Sequence, residues 1–130
     1  MSRSLLALAL IALLIGCSPR RTETPRYKVT GVVTFKGAPL ASGKIYFESP
    51  EDRDRGEPPN STTIVDGAFE LMSTAGEKSV RISAREEFGN ADETGARRTR
   101  ETIPEKYSQE SELTVTVEPS GERHFEFELE

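Results

Sequence analysis

Tyr27-Lys28-Val29-Thr30-Gly31-Val32-Val33-Thr34-Phe35 repeats its inward character at every second residue. Tyr27, Val29, Gly31, Val33 and Phe35 share one side, while Lys28, Thr30, Thr34 and the following Lys36 mostly occupy the other. A period of two belongs to a strand; an amphipathic helix would repeat about every 3.6 residues. Gly37-Ala38-Pro39 interrupts the run, and Lys44 to Glu48 resumes it with Ile45 and Phe47 inward. Thr62 to Val65 and Ala68 to Met72 flank Asp66-Gly67. Both of those turn positions tolerate positive φ, as a two-residue hairpin demands, so Asp66 and Gly67 are assigned a structural turn. Val80, Ile82 and Ala84 alternate with Ser79, Arg81, Ser83 and Arg85, and Leu113, Val115 and Val117 alternate with Thr114, Thr116 and Glu118. After the turn Pro119-Ser120-Gly121, Phe125, Phe127 and Leu129 close the pattern against outward His124, Glu126 and Glu128. Seven such runs, with no amphipathic helix and no internal repeat, predict an all-β fold: a seven-stranded antiparallel sandwich. Residues 50–61 carry no apolar side chain and read as a charged, solvated loop, and residues 88–102 as an exposed excursion.

Outward from this domain, Ser18 to Arg26 is polar and proline-punctuated, a spacer with nothing to bury. Before it, Arg3 precedes eleven unbroken apolar residues, Leu5 to Ile15, followed by Gly16 and the chain's one cysteine, Cys17. Basic, apolar, then small is the order of an export signal, and the apolar run is shorter than the roughly 20 residues a spanning helix needs. Leu14-Ile15-Gly16-Cys17 resembles the lipobox of bacterial lipoproteins. The resemblance implies lipidation of the Cys17 thiol and cleavage between Gly16 and Cys17. A thiolate is nucleophile enough to take a diacylglyceryl group. The freed amino group then takes a further acyl chain, a palmitate-type modification. At about 0.8 kcal/mol per buried methylene, one chain anchors only marginally, while two or three hold almost permanently. The expected organisation is therefore a signal peptide over 1–16, a lipidated cysteine and flexible spacer over 17–26, and a sandwich domain over 27–130. By the same resemblance, Ser18 after the cysteine suits transfer to an outer membrane, so a lipid-anchored, periplasm-facing or outer-membrane location is expected.

Cleavage would remove 16 of 130 residues and leave 114, the size of one domain. With Arg3 gone, 16 basic residues face 22 acidic ones, a net charge of −6. That balance argues against nucleic acid as a partner. With Cys17 carrying lipid, no thiol remains for a disulfide or a thiolate metal site.

Val29-Thr-Gly-Val-Val-Thr-Phe-Lys-Gly-Ala-Pro-Leu40, followed by Gly43-Lys-Ile-Tyr-Phe47, is similar to the opening of carboxypeptidase regulatory-like domains, which are transthyretin-like sandwiches. Asp66-Gly67-Ala68-Phe69-Glu70-Leu71 resembles that family's D-G-x-F-x-L hairpin. Ile103-Pro104-Glu105-Lys106-Tyr107, with Leu113-Thr114-Val115-Thr116-Val117, resembles its I-P-x-K-Y … L-T-x-x-V stretch. The wording resembles that of small envelope lipoproteins of planctomycete-type bacteria. The chain departs from the pattern at Gly76-Glu77-Lys78-Ser79-Val80, which lacks the family's tyrosine, and in its highly charged 89–101 insert.

Chemistry-bearing residues are sparse. His124 is the one histidine, too few for the histidine-rich sites of enzymatic relatives of this sandwich, and it is expected on the surface. Calcium is the one metal to weigh, on Glu51, Asp52, Asp54 and Glu57, because carboxylates suit a hard cation. Arg53 and Arg55 interrupt that cluster and no Asp-x-Asp-x-Asp-Gly pattern is present, so no metal and no other cofactor is assigned. Arg97, Arg98 and Arg100 invite an anion or acidic glycan, but Asp92, Glu93 and Glu101 lie alongside and favour a salt-bridged loop. Pro39 and Pro104 are read as turn or edge residues and Tyr107 as a cap on the sandwich. The expected function is that of a non-catalytic, lipid-anchored envelope β-sandwich, a structural or protein-interaction module rather than an enzyme. Its partners would be the membrane, through the anchor, and an envelope protein or glycan. A carbohydrate- or peptide-binding module is the alternative.

Overall fold

A computed structural model describes residues 16–17 and 22–130. The expected signal segment before Gly16 lies outside the described residues; Cys17 is exposed. Among the described residues no helix is long and apolar enough to cross a membrane.

The strands follow the alternating runs: β1 (Arg26–Phe35), β2 (Ala38–Pro39), β3 (Ser42–Glu48), β4 (Asn60–Val65), β5 (Ala68–Thr74), β6 (Gly76–Ser83), β7 (Arg85–Phe88), β8 (Arg98–Glu101), β9 (Thr114–Val117) and β10 (His124–Leu129). One short helix, α1 (Pro50–Asp54), separates β3 from β4. The main sheet runs β10-β1-β5-β4-β3-β6-β9, with β2 paired to β1, and β7-β8 form a separate two-stranded arm. Between β4 and β5 the ladder holds only at the hairpin, Val65 opposite Ala68. The sheet curls over there, and the inward sets of its two halves meet as an all-β sandwich.

The inward sets are those the period of two selects. Val29 and Val33 of β1, Phe69 and Leu71 of β5, and Phe127 and Leu129 of β10 face Ile45, Phe47, Ile64, Val80, Ile82 and Val117 of the other half. Phe47 meets Phe69 and Phe125 edge-on at 6.3 Å, the offset geometry that ring quadrupoles prefer.

Two expectations need correction. The sheet is not antiparallel throughout, because β10 runs parallel to β1, with Gly31 opposite Phe125 and Val33 opposite Phe127. Alternation fixes which face is buried but carries no direction. The chain leaves β9 at one end of the sheet and crosses to the other end before pairing with β1. Residues 50–61 are not simply a solvated loop: Ser49 caps α1, accepting from the Asp52 amide at 3.2 Å, Pro50 opens it, and Asp52 is buried. The 88–102 excursion is exposed, as expected, but ordered as the β7-β8 hairpin.

The Asp66-Gly67 turn takes the positive φ expected at both positions, 50° and 79°. It is also stitched inward: the Gly67 amide donates to the Leu40 carbonyl at 2.7 Å, and the Gly67 carbonyl accepts from Val33 at 2.7 Å. A Cβ at Gly67 would lie 2.8 Å from the Pro39 Cβ. Gly67→Ala is therefore expected to cost about 1–2 kcal/mol through the left-handed backbone alone, read as a lowered thermal midpoint. A midpoint equal to the parent's would contradict this.

Candidate functional site

Two clusters of polar side chains stand out, one inside the sandwich and one on its outer face. The inner one begins at Lys78. On β6 the even positions point inward, which places Lys78 in the same row as Val80 and Ile82 and leaves it 1% exposed. Its ammonium has three donors and meets three acceptors: Asp52 Oδ2 at 2.5 Å, Thr74 Oγ1 at 2.6 Å and Ser49 Oγ at 3.3 Å. Thr74 passes its own proton on, donating to both Asp52 oxygens at 2.9 and 3.0 Å, and Arg55 Nη2 closes on Oδ1 from the solvent side. Burial works against ionisation of Asp52. The hydrogen bonds from Lys78, Ser49 and Thr74, with the Lys78 charge, outweigh it and hold the carboxyl below its ordinary range. The result is a satisfied ion pair that ties α1 to β5 and β6.

That arrangement relocates the calcium candidates. Asp52 turns inward to a lysine, Glu57 pairs with Arg55 at 3.3 Å and Arg26 at 3.7 Å, and Glu51 and Asp54 are exposed. Among the described residues no group of three His, Cys, Asp or Glu side chains converges on a metal position. His124 is exposed, with Nδ1 3.0 Å from Thr30 Oγ1. Arg98 and Arg100 stack against Phe88 on the arm, and Arg100 pairs with Glu86. Tyr107 packs half-buried on the core and Pro104 begins a turn, its carbonyl accepting from Tyr107 at 3.0 Å.

The outer cluster is a cleft of about 570 Å³ across β4, β3 and β6, walled by the base of the β7-β8 arm and the turn that follows it. Strand register places its floor: Lys44 stands opposite Thr63 and Ser83, and Tyr46 opposite Arg81. Arg81 lays its guanidinium 4.3 Å over the Tyr46 ring and donates to Glu48 at 3.1 Å. Arg85 joins from the arm, and Ser108 and Gln109 from the turn. Lys44 and Arg85 have no carboxylate within ion-pair distance among the described residues.

Glu101, the one carboxylate in the cleft, is committed elsewhere. It accepts from Ser83 Oγ at 2.5 Å, from the Ala84 amide at 2.7 Å and from the Ile103 amide at 3.1 Å. Burial opposes its charge, but those bonds prevail and its carboxyl stays below the ordinary value of 4.5. A depressed carboxylate contributes stability that is complete above its unfolded value and is lost as pH falls through the folded one. The arm's base is thus expected to loosen as pH drops below about 4.5, seen as faster amide exchange at Ala84 and Ile103. Glu101→Gln should loosen it already at neutral pH and flatten that response; an unchanged acid response in the variant would refute the assignment.

Sequence reading did not find either cluster. Parity alone would have flagged Lys78, as an even position in a run whose other even members are apolar. The cleft has no such signal, since outward polar residues on adjacent strands look like any solvated face until register brings them together.

No protein-family model matches the chain, and no curated protein matches it. Among solved structures, a 9R-lipoxygenase from Cyanothece PCC8801 aligns with 80% of this chain and 16% of its own, at 11% identity and a TM-score of 0.35. A likeness of that degree carries no argument.

Proposed function

We propose that this chain is a non-catalytic, lipid-anchored β-sandwich of a bacterial cell envelope that works as an interaction module. The observation that supports it most is the outer-face cleft, a built concavity of polar and cationic side chains on a sheet whose buried ionisable pair is internally satisfied. Leu14-Ile15-Gly16-Cys17 supports the tether, and the resemblance to carboxypeptidase regulatory-like lipoproteins agrees with both. Binding of a carbohydrate or peptide in the cleft is the second reading, favoured by the same hydroxyl, amide and cationic lining.

The tether is tested in cells expressing the full chain with a labelled fatty acid. Wild type should take up label, start at Cys17 after processing and fractionate with membranes; Cys17→Ser should lose the label and the membrane fraction. A bare thiol on a protein recovered from the medium would end the reading. The interaction role is tested by capture from native membranes with wild type and a Lys44→Ala/Arg81→Ala variant. Identical partner sets from the two would remove the cleft from it.

A further inference from the structure

We infer that the outer-face cleft takes a carboxylate-bearing oligosaccharide, a uronate-type acidic glycan; this rests on the interaction-module reading above and names its ligand class. Charge comes first. The chain is acidic overall, at −5, yet the cleft gathers three cations, Lys44, Arg81 and Arg85, of which Arg81 is paired with Glu48, and one carboxylate in its own lining. That carboxylate, Glu101, has its oxygens occupied by Ser83, Ala84 and Ile103 and forms no ion pair with the cations. Arg81 spends one donor on Glu48 and keeps others of its planar fork for a bidentate carboxylate. Tyr46, stacked beneath, restricts the orientation of that fork.

The remaining lining separates a glycan from an acidic peptide. β3, the centre of the floor, is hydrogen-bonded on both sides, to β4 and β6; beyond the β9 ladder, which ends at Ser79, the Val80 and Ile82 amides of β6 donate to the carbonyls of Leu113 and Tyr107. A peptide could therefore add as an extra strand neither at β3 nor at β6, only along the outer edge of β4, which β5 meets at Val65 alone. What the floor offers is the Thr63 hydroxyl and the Gln109 amide, with Ser83 Oγ left as an acceptor because its proton goes to Glu101, and these match ring hydroxyls; the Ser108 hydroxyl is spent on the Ile103 and Pro104 carbonyls. A neutral sugar is disfavoured in turn. Such ligands gain from stacking on an open aromatic face, and the Tyr46 face is already covered by Arg81. The same guanidinium that closes the stacking platform supplies the anion contact.

The experiment titrates the full chain, purified in detergent, with trigalacturonate, a neutral galactose trimer and a Glu-rich peptide of equal charge, followed calorimetrically at low and high salt. Trigalacturonate should bind, weaken with salt, and lose about tenfold or more in affinity in Arg81→Ala and in Lys44→Ala, as expected for loss of a charge-assisted contact. Arg81→Lys should recover part of that loss but not all, since it keeps the charge and not the fork. Both positions face outward, and an unchanged thermal midpoint confirms that the variants fold. No binding of trigalacturonate, or binding indifferent to both alanine variants, overturns the inference. If the neutral trimer or the peptide binds instead, and the alanine variants abolish it, the acidic-glycan assignment falls while the interaction module stands. If nothing binds and capture from membranes is also indifferent to the variants, both fall.

Discussion

Lys78→Met should cost about 3–5 kcal/mol of folding stability, and Asp52→Leu a comparable amount, each by stranding a partner charge in a dry site. In the first variant Asp52 keeps Arg55 and the two hydroxyls but loses its most buried counter-ion. In the second the ammonium, 1% exposed, keeps only Ser49 and Thr74. The double variant should recover much of the loss, because a methionine and a leucine can pack where two charges had to be desolvated. Denaturant titrations of the four proteins close the cycle. If the single losses simply add in the double variant, the pair is not coupled and the inner cluster has been misread.

The pair also fixes an acid response. Asp52 lies below its ordinary value of 3.8 in the folded protein. Its contribution is therefore full above that value and disappears as pH falls further, through the folded-state titration. In Asp52→Leu/Lys78→Met that part of the acid loss should vanish, leaving the carboxylates elsewhere to set the remainder. An acid-unfolding profile identical to the parent's would contradict the assignment.

These residues also show how far sequence reading reaches. The period of two picked out Val29, Val33, Ile45, Phe47, Val80, Ile82, Phe127 and Leu129, all of which are buried, and the Asp-Gly pair marked the hairpin on which the sheet curls over. Burial of a face follows from hydrophobicity along a single strand, so one strand suffices to predict it. Strand direction and neighbours do not, and the parallel β1–β10 pair was invisible for that reason. Asp52 was singled out only as a calcium candidate, and the burial of Asp52 and Lys78 was missed because each is charged, and a charge is buried only when a partner distant in sequence is waiting. The cleft has the same origin: Lys44, Arg81 and Arg85 belong together only through register.

Gly31 is the place where that register bears most heavily on one atom. It faces Phe69 of β5 on one side and Phe125 of β10 on the other. A Cβ there would come 2.5 Å from two Phe69 ring atoms, and closer still to the Phe125 carbonyl oxygen. The ring cannot swing freely, since Phe69 stacks on Phe127 at 6.2 Å and meets Phe47 edge-on. The carbonyl belongs to backbone, and among the described residues β10 has β1 as its one strand neighbour. Gly31→Ala should thus cost about 1–3 kcal/mol by overpacking, and the structure should yield at the edge: amides of His124–Leu129 lose exchange protection before those of β3 and β6. Gly31→Val should separate β10 further. Adding Phe69→Leu to Gly31→Ala relieves the ring contact but not the carbonyl, so it should restore only part of the stability and little of the β10 protection. Full recovery would mean the ring alone is in conflict. Wild-type protection of β10 in Gly31→Ala would mean that the two strands are not joined as described, and with them the closure of this half of the sandwich.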